Sequence, residues 1–212
     1  ITDDGKTYEG KSIIIATGAD TKWLEVPGEK EKIGRGVSSC APCDAFFFKE
    51  KNVIVVGGGD SAMEEALVLT KFAKQVTIVH RREEFRASNI MLERAKKNPT
   101  IKFVLNSEVT EILGENKVTG VKIKNNKTGK VSERPIDGVF VAIGHIPNST
   151  IFKGIEVDQK GFIRVKDHYK TNIDGIFVAG DVHDYHYKQA VTAAGFGCAA
   201  ALEAEHWLAG QE

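Results

Sequence analysis

Two thiols three positions apart, Cys40 and Cys43, can close a small disulfide ring or supply half of a metal site. A thiolate in such a pair is stabilised when the pair starts a helix or meets a positive group. Asp44 follows directly and could act as proton donor to a leaving thiolate or as proton acceptor in the exchange. A structural zinc site needs four ligands, and the sequence has neither a second Cys-x-x-Cys nor a nearby His pair, so no metal is expected. Pro42 constrains the loop between the sulfurs. The third cysteine, Cys198, lies among Ala193, Ala194, Ala199 and Ala200 and is expected to be small core filler.

A second group of residues suits phosphate. Gly57-x-Gly59-x-x-Ala62 stands between an apolar β-branched run, Lys51 to Val56, and a helical pattern. In such a turn Gly57 permits the tight bend, Gly59 removes the Cβ that would block a pyrophosphate, and Ala62 lets helix and strand pack closely. The helix N-terminus then offers free N–H groups and a partial positive charge. About 20 residues beyond such a fingerprint an NAD site places an acidic residue on the ribose. Here the corresponding strand end reads His80-Arg81-Arg82, with Arg86 close behind. Guanidinium groups suit a 2′-phosphate, so the expected dinucleotide is NADPH. Glu83 and Glu84 are expected to be solvated and angled away.

The elements that must position these residues are legible from periodicity. Ser12 to Gly18 reads as a short buried strand ending in a tight turn, and Val26-Pro27-Gly28 as a crossing point. After the Lys51–Val56 strand, a helix is expected from Asp60 to about Phe72, with Ala62, Ala66, Leu69 and Phe72 sharing a face. Val76 to Val79 completes a βαβ unit; a helix over 87–97 and a strand from Ile101 to Leu105 follow. Alternation at Val118, Val121, Ile123 and Val131, around Asn125-Asn126-Lys127-Thr128-Gly129, predicts an antiparallel meander. Val139 to Gly144 and Ile176 to Ala179 are further buried strands, and a long Ala-rich helix should run from about Gln189 to Leu208. The fold class is α/β, doubly wound in the middle.

Bulk properties narrow the function. Lys plus Arg and Asp plus Glu balance at 29 each, so no global field attracts nucleic acid or an anionic membrane. No apolar run approaches a membrane span of roughly 20 residues, and no signal-peptide pattern opens the chain. Three cysteines do not make a disulfide-stapled secreted domain, and a cytoplasmic location is expected. Ile1 in place of Met, in polar strand-like sequence, predicts a chain truncated at its N-terminus.

Taken together, these blocks resemble the low-molecular-weight thioredoxin reductase family. The resemblance is carried by Cys40-Ala41-Pro42-Cys43-Asp44, Gly57-Gly58-Gly59-Asp60-Ser61-Ala62, His80-Arg81-Arg82 with Phe85-Arg86-Ala87, Ala142-Ile143-Gly144-His145, Gly175 to Val182, and Gln189-Ala190. It implies a Rossmann-like NADPH domain, parallel sheet plus β-meander, over residues 22–147. That domain would be inserted into a partial FAD-binding α/β domain made of residues 1–21 and 148–212. Electrons would pass from NADPH through FAD to the Cys40–Cys43 disulfide and on to a thioredoxin. The resemblance makes Cys43 the sulfur facing the flavin, Cys40 the attacker of the partner disulfide, and Asp44 the acid. It also implies that Gly57, Gly59, Asp60, Ser61, Ala62, His80, Arg81, Arg82, Arg86, Ile143 and Gly144 serve cofactor binding. Gly180 and Asp181, the latter on the ribityl chain, and Lys188, Gln189 and Ala190, near the isoalloxazine, would complete the flavin side. Segments 22–26 and 144–148 are the implied hinges, and a homodimer the implied assembly.

The sequence departs from the family pattern in three places. Pro42 stands where Thr is common, Ala45 where Gly is common, and Lys188 where Arg is usual. The family's first Gly-rich fingerprint, which grips the ADP half of FAD, is not in these residues. Other readings are the reductase of another dithiol partner, such as a peroxidase system, and a non-catalytic NADPH-binding fragment. A ferredoxin-fed relative should lack the arginine cluster.

Overall fold

A computed structural model describes residues 2–211. In chain order it contains β1 (Ile13–Ile15), β2 (Ala19–Thr21), β3 (Val37–Ser38), α1 (Ala41–Asp44), β4 (Asn52–Val56), α2 (Asp60–Leu69), β5 (Gln75–Val79) and α3 (Asn89–Lys97). There follow β6 (Ile101–Val104), β7 (Ser107–Leu113), β8 (Gly120–Asn125), β9 (Val131–Pro135), β10 (Gly138–Val141), β11 (His145–Pro147), β12 (Ile176–Val178) and α4 (Ala190–Ala209). The described residues form two compact units: Thr21–Gly144 is one, and the segments up to Asp20 and from His145 onward make the other.

The Thr21–Gly144 unit is built on a five-stranded sheet in the order β3-β10-β4-β5-β6, with every pairing parallel. Strand β4 explains why its sequence is apolar without interruption. Val53 and Val55 point to one face and pack with Ala62, Met63, Ala66 and Leu69 of α2 and Ala95 of α3. Ile54 and Val56 point to the other and pack with Val109, Ile112, Val121 and Ile123 of the antiparallel β7-β8-β9 sheet. A strand covered on both faces cannot alternate with polar residues. Two elements are shorter than their periodicity suggests. Helix α2 stops at Leu69, where the Thr70 hydroxyl donates to the Leu67 carbonyl at 2.8 Å. Helix α3 starts at Asn89, because the amides of Arg86 and Ala87 are held by the Gly58 carbonyl and that of Ser88 by Asp60.

In the other unit β1 and β12 pair in parallel, Ile13 opposite Ile176 and Ile15 opposite Val178. Buried Phe177, Ala179, Ala200 and Ala204 form one core there, with Trp207 packed against it. Two expectations are corrected in this unit. The Ser12–Gly18 segment is not a buried strand throughout: Ile15 is 3% exposed, but Ile13 is 53% and Ile14 40%. Cys198 is exposed rather than core filler. The small residues of α4 surround the helix, so only the stripe through Ala200, Ala204 and Trp207 faces the core, and Cys198 falls outside it.

Candidate functional site

The cysteine pair occupies the turn between the edge strand β3 and the helical segment that starts with α1. Cys40 is the extended N-cap of α1, Pro42 lies in the first turn, and Cys40 and Cys43 are joined as a disulfide with Cα atoms 5.3 Å apart. Cys43 is exposed and Cys40 half-buried. Asp44 closes the turn. Its Oδ2 accepts the Ser38 hydroxyl at 2.6 Å, and the same hydroxyl oxygen accepts the Cys40 amide at 3.1 Å. Ser38, only 7% exposed, therefore fixes the carboxyl of Asp44 to the backbone of the first cysteine. A cavity of about 610 Å³ opens beside them, lined by Arg35, Ser38, Asp44, Phe47, Lys51 and Lys117 among others. Just past the motif, Phe46 and Phe47 are 69% and 68% exposed, an unusual position for two large apolar rings.

At the end of β4, the glycine turn has the properties of a phosphate cradle. A Cβ on Gly57 would lie 2.4 Å from the Ala142 carbonyl oxygen and 2.8 Å from the Ala62 Cβ. Gly57 is thus demanded by close packing, not by a positive φ, and Ala62 is fully buried against it. A Cβ on Gly58 would strike the His80 ring at 2.2 Å. A Cβ on Gly59 would meet nothing within 4 Å, so the space in front of it is open. Helix α2 begins there without a side-chain cap, leaving first-turn amides for an anion. These features fit a dinucleotide pyrophosphate.

The neighbouring loop is arranged around the same turn. His80 is 7% exposed; it stacks on Phe85 with ring centroids 4.9 Å apart, and its Nε2 lies 2.9 Å from the Glu84 carbonyl. It lies against Gly58 as a support, whereas Arg81, Arg82 and Arg86 are exposed. Glu83 is exposed, as expected, and is bound by Lys127 from the β8–β9 turn at 2.5 Å. That ion pair holds the Glu83 carboxyl below the usual carboxylate range. Asp60 accepts the Ser88 amide at 2.7 Å, and exposed Ser61 follows it. Ile143 is 37% exposed, and Gly144 has φ +115°.

The second unit gathers Gly180, Asp181, Gln189 and Ala190 around one cavity of about 260 Å³, with Ala16, Gly18 and Ala193 on its wall. Asp181 Oδ1 is buried without a partner, and burial first, then repulsion from Asp184, pushes the Asp181 carboxyl up. A hydroxyl-bearing ligand would satisfy that oxygen, which fits the polyhydroxylated chain of FAD. The cavity is smaller than the roughly 300–1,000 Å³ of a complete small-molecule pocket, so it suits one segment of a flavin. Lys188 has φ +48° and its Nζ donates to the Tyr185 carbonyl at 2.5 Å; Gln189 caps α4 in a capping box with Thr192.

Asp184, which sequence reasoning missed, builds this loop. It is 6% exposed, and it accepts the amides of His186, Tyr187 and Lys188 at 2.8–2.9 Å. Burial alone would raise its carboxyl, but those three amides hold it below the ordinary value. The readable signal was an Asp four residues before a lysine at a helix entrance.

The two carboxyls act oppositely on stability. For Asp181 the folded state binds the proton more tightly, so stability falls as pH rises from about 4 through the raised value. For Asp184 stability is present above the ordinary value and is lost as pH falls through the lowered one. Asp181→Asn should therefore raise the melting temperature of the ligand-free chain at pH 7 by about 1–3 °C, with the gain vanishing near pH 4. A thermal melt across that pH range checks it; a uniform loss would contradict the reading.

The pyridine nucleotide-disulphide oxidoreductase family model matches residues 1–197. A thioredoxin reductase of Mycolicibacterium smegmatis is 52% identical over 209 residues, covering 98% of this chain and 67% of that protein. A bifunctional thioredoxin reductase/thioredoxin of Mycobacterium leprae (strain TN) is 51% identical, with 99% of this chain and 46% of that protein covered. The crystal structure of thioredoxin reductase from Streptococcus pyogenes MGAS5005 superimposes with a TM-score of 0.92 at 46% identity, over 99% of this chain and 69% of that one. The chain thus spans about two thirds of the first relative and less than half of the second. Thioredoxin reductases of this family use FAD and NADPH.

Proposed function

Because this chain belongs to the pyridine nucleotide-disulphide oxidoreductase family, we propose that it passes electrons from NADPH to the disulfide of a thioredoxin through Cys40 and Cys43. The observation that carries the reading is the Cys40–Cys43 disulfide in the same unit as the Gly57–Ala62 cradle. Gly57, Gly59, Ala62 and the α2 N-terminus would hold the pyrophosphate, and Arg81, Arg82 and Arg86 the 2′-phosphate. Asp181 and the Lys188-Gln189-Ala190 entrance of α4 would hold part of FAD. Bound FAD and NADPH supply the two electrons that reduce the cysteine pair.

The chain's own residues do the rest. In the reduced pair the Cys40 thiolate attacks one sulfur of the partner disulfide; a Cys40–sulfur bond forms and the partner's sulfur–sulfur bond breaks. The released partner thiolate takes a proton from Asp44, which Ser38 holds in place and which received that proton when the Cys40 thiol ionised. Cys43 then attacks the Cys40 sulfur, the Cys40–partner bond breaks as the internal disulfide re-forms, the Cys43 proton passes to the partner's second sulfur, and the partner leaves as a dithiol. Net transfer is two electrons and two protons to the partner. A homodimer and a cytoplasmic location belong to the same proposal and rest on the family resemblance; among the described residues no helix is long and apolar enough to cross a membrane.

The exposed rings of Phe46 and Phe47 lie just past the motif, where an incoming partner must dock. The full-length enzyme loaded with FAD should oxidise NADPH steadily only when oxidised thioredoxin is supplied. Replacing both rings by Ala should raise KM for thioredoxin about tenfold or more and leave kcat within about twofold. Turnover indifferent to thioredoxin would sink the function; an unchanged KM would remove Phe46 and Phe47 from the docking surface.

A further inference from the structure

The turn between β8 and β9 is tied to the arginine loop by bonds between segments distant in sequence. The Asn126 side chain donates to the Arg81 carbonyl at 3.3 Å, and its amide to the Asn106 carbonyl at 2.6 Å. The Asn106 amide in turn donates to the Arg82 carbonyl at 3.2 Å, from a backbone with φ +49°. The carbonyls of both arginines are thereby held. The turn is itself preorganised: Asn125 Oδ1 accepts the amides of Lys127 and Thr128, and the Gly129 amide closes it on the Asn125 carbonyl. Lys127 projects from this turn, and its Nζ lies 2.5 Å from Glu83 Oε2, although Glu83 is 44 positions earlier. Lys127, and to a smaller extent Asn106, hold that carboxyl below the usual carboxylate range.

An exposed ion pair of this kind contributes little to stability. Its position gives it another use. Glu83 follows Arg82 directly, so a dianion that reaches Arg81 and Arg82 comes close to a carboxylate of like charge. We propose that Lys127 is a positioning residue for nucleotide choice: by holding Glu83 on the β8–β9 turn, it keeps a negative charge away from the 2′-phosphate that Arg81 and Arg82 would bind. The inference rests on reading those arginines as the 2′-phosphate site. Without Lys127, the Glu83 side chain would repel the phosphate and compete with it for the adjoining guanidinium groups. NADH carries a hydroxyl where NADPH carries the dianion, so the same carboxylate costs it little. An acid beside this ribose is what an NAD site uses. Lys124, just before it on β8, is paired with Glu108 at 3.9 Å, so the two lysines do not share one acid.

The test is titration calorimetry of the 212-residue chain with NADPH and with NADH in low-salt buffer. Lys127→Met should weaken NADPH binding about threefold to tenfold and move NADH by less than about twofold. Lys127→Arg keeps the charge and should stay near the parent. Adding Glu83→Gln to Lys127→Met should return NADPH affinity to within about twofold of the parent, because the repelling charge is gone. The gap between the parent and Lys127→Met should also close in about 1 M salt, where the screening length is about 3 Å. Equal losses for the two nucleotides would overturn the inference, since the turn would then only shape the loop. So would no change at all, or a loss that Glu83→Gln does not repair, which would place Lys127 on the nucleotide itself. A parent that binds NADPH no better than NADH would instead overturn the reading of Arg81 and Arg82 beneath it.

Discussion

Cys43→Ser should convert the enzyme into a trap: it attacks thioredoxin once and does not release it. Cys40 retains its sulfur, so the first exchange still forms a bond to the partner. The second exchange has no attacking thiol, because a serine hydroxyl is not ionised at neutral pH and does not cleave a disulfide. Incubation of the pre-reduced variant with oxidised thioredoxin should therefore accumulate a covalent one-to-one adduct on a non-reducing gel, dissolved by dithiothreitol. Steady-state thioredoxin reduction should fall by about a thousandfold or more, the scale seen when one member of a catalytic unit is removed. NADPH affinity should not change, since Cys43 is in α1 and the cradle begins at Gly57. The converse variant, Cys40→Ser, should form little adduct. An adduct that accumulates with Cys40→Ser and not with Cys43→Ser would reverse the roles of the two sulfurs.

The second large effect concerns the choice of nucleotide. Arg81 and Arg82 are exposed at the end of β5, and the nearby Glu83 carboxylate is bound by Lys127 at 2.5 Å. The two guanidinium groups are therefore not consumed by their neighbour and remain available to a dianion. Hydrogen bonds to a charged group contribute about 1.5–3 kcal/mol each, so removing both arginines should weaken NADPH binding by about a hundredfold or more. NADH lacks the 2′-phosphate, and its affinity should move by less than about threefold. Titration calorimetry with both nucleotides on the double Ala variant separates the outcomes. Equal losses for the two would mean that the loop shapes the cradle instead of reading the phosphate. Because Arg86 donates its amide to the Gly58 carbonyl, its side chain is the one most exposed to that confusion and is left unchanged.

Much of this was legible in the chain because the signals were local. The strand–glycine–helix passage from Lys51 to Leu69 specifies its own geometry: a strand buried on both faces, a turn where Gly57 and Gly58 have no room for a Cβ, and an Ala at the contact. The cysteine motif was likewise readable, since its reactivity depends on spacing. Other features depend on neighbours distant in sequence. Nothing around Glu65 distinguishes it from Glu64 until the fold brings α2 to the Ala41 amide. Ser38 looks like any strand-end serine, yet its hydroxyl joins Asp44 to Cys40. Strand β7 was not read as a separate element, because Glu108, Thr110 and Glu111 dilute its alternation and its register shifts between Val109 and Glu111. Cys198 was misplaced because a helix with small residues on every side gives no period by which to assign a face.

The way the chain divides also sets a timetable for its synthesis. Ser12, beside β1, bonds the carbonyl of Gly175, a partner 163 residues later, and the whole Thr21–Gly144 unit is made in between. Among the described residues β1 pairs with β12, and that pairing waits until most of the polypeptide has been translated. The intervening unit has two cores of its own and can fold during the wait, as domains generally do. Once folded, it shortens the effective loop that β1 and β12 must close, although loop entropy grows only slowly with length. Until then the edge of β1 that meets β12 stands unpaired, the kind of feature that exposes unfinished chains to aggregation.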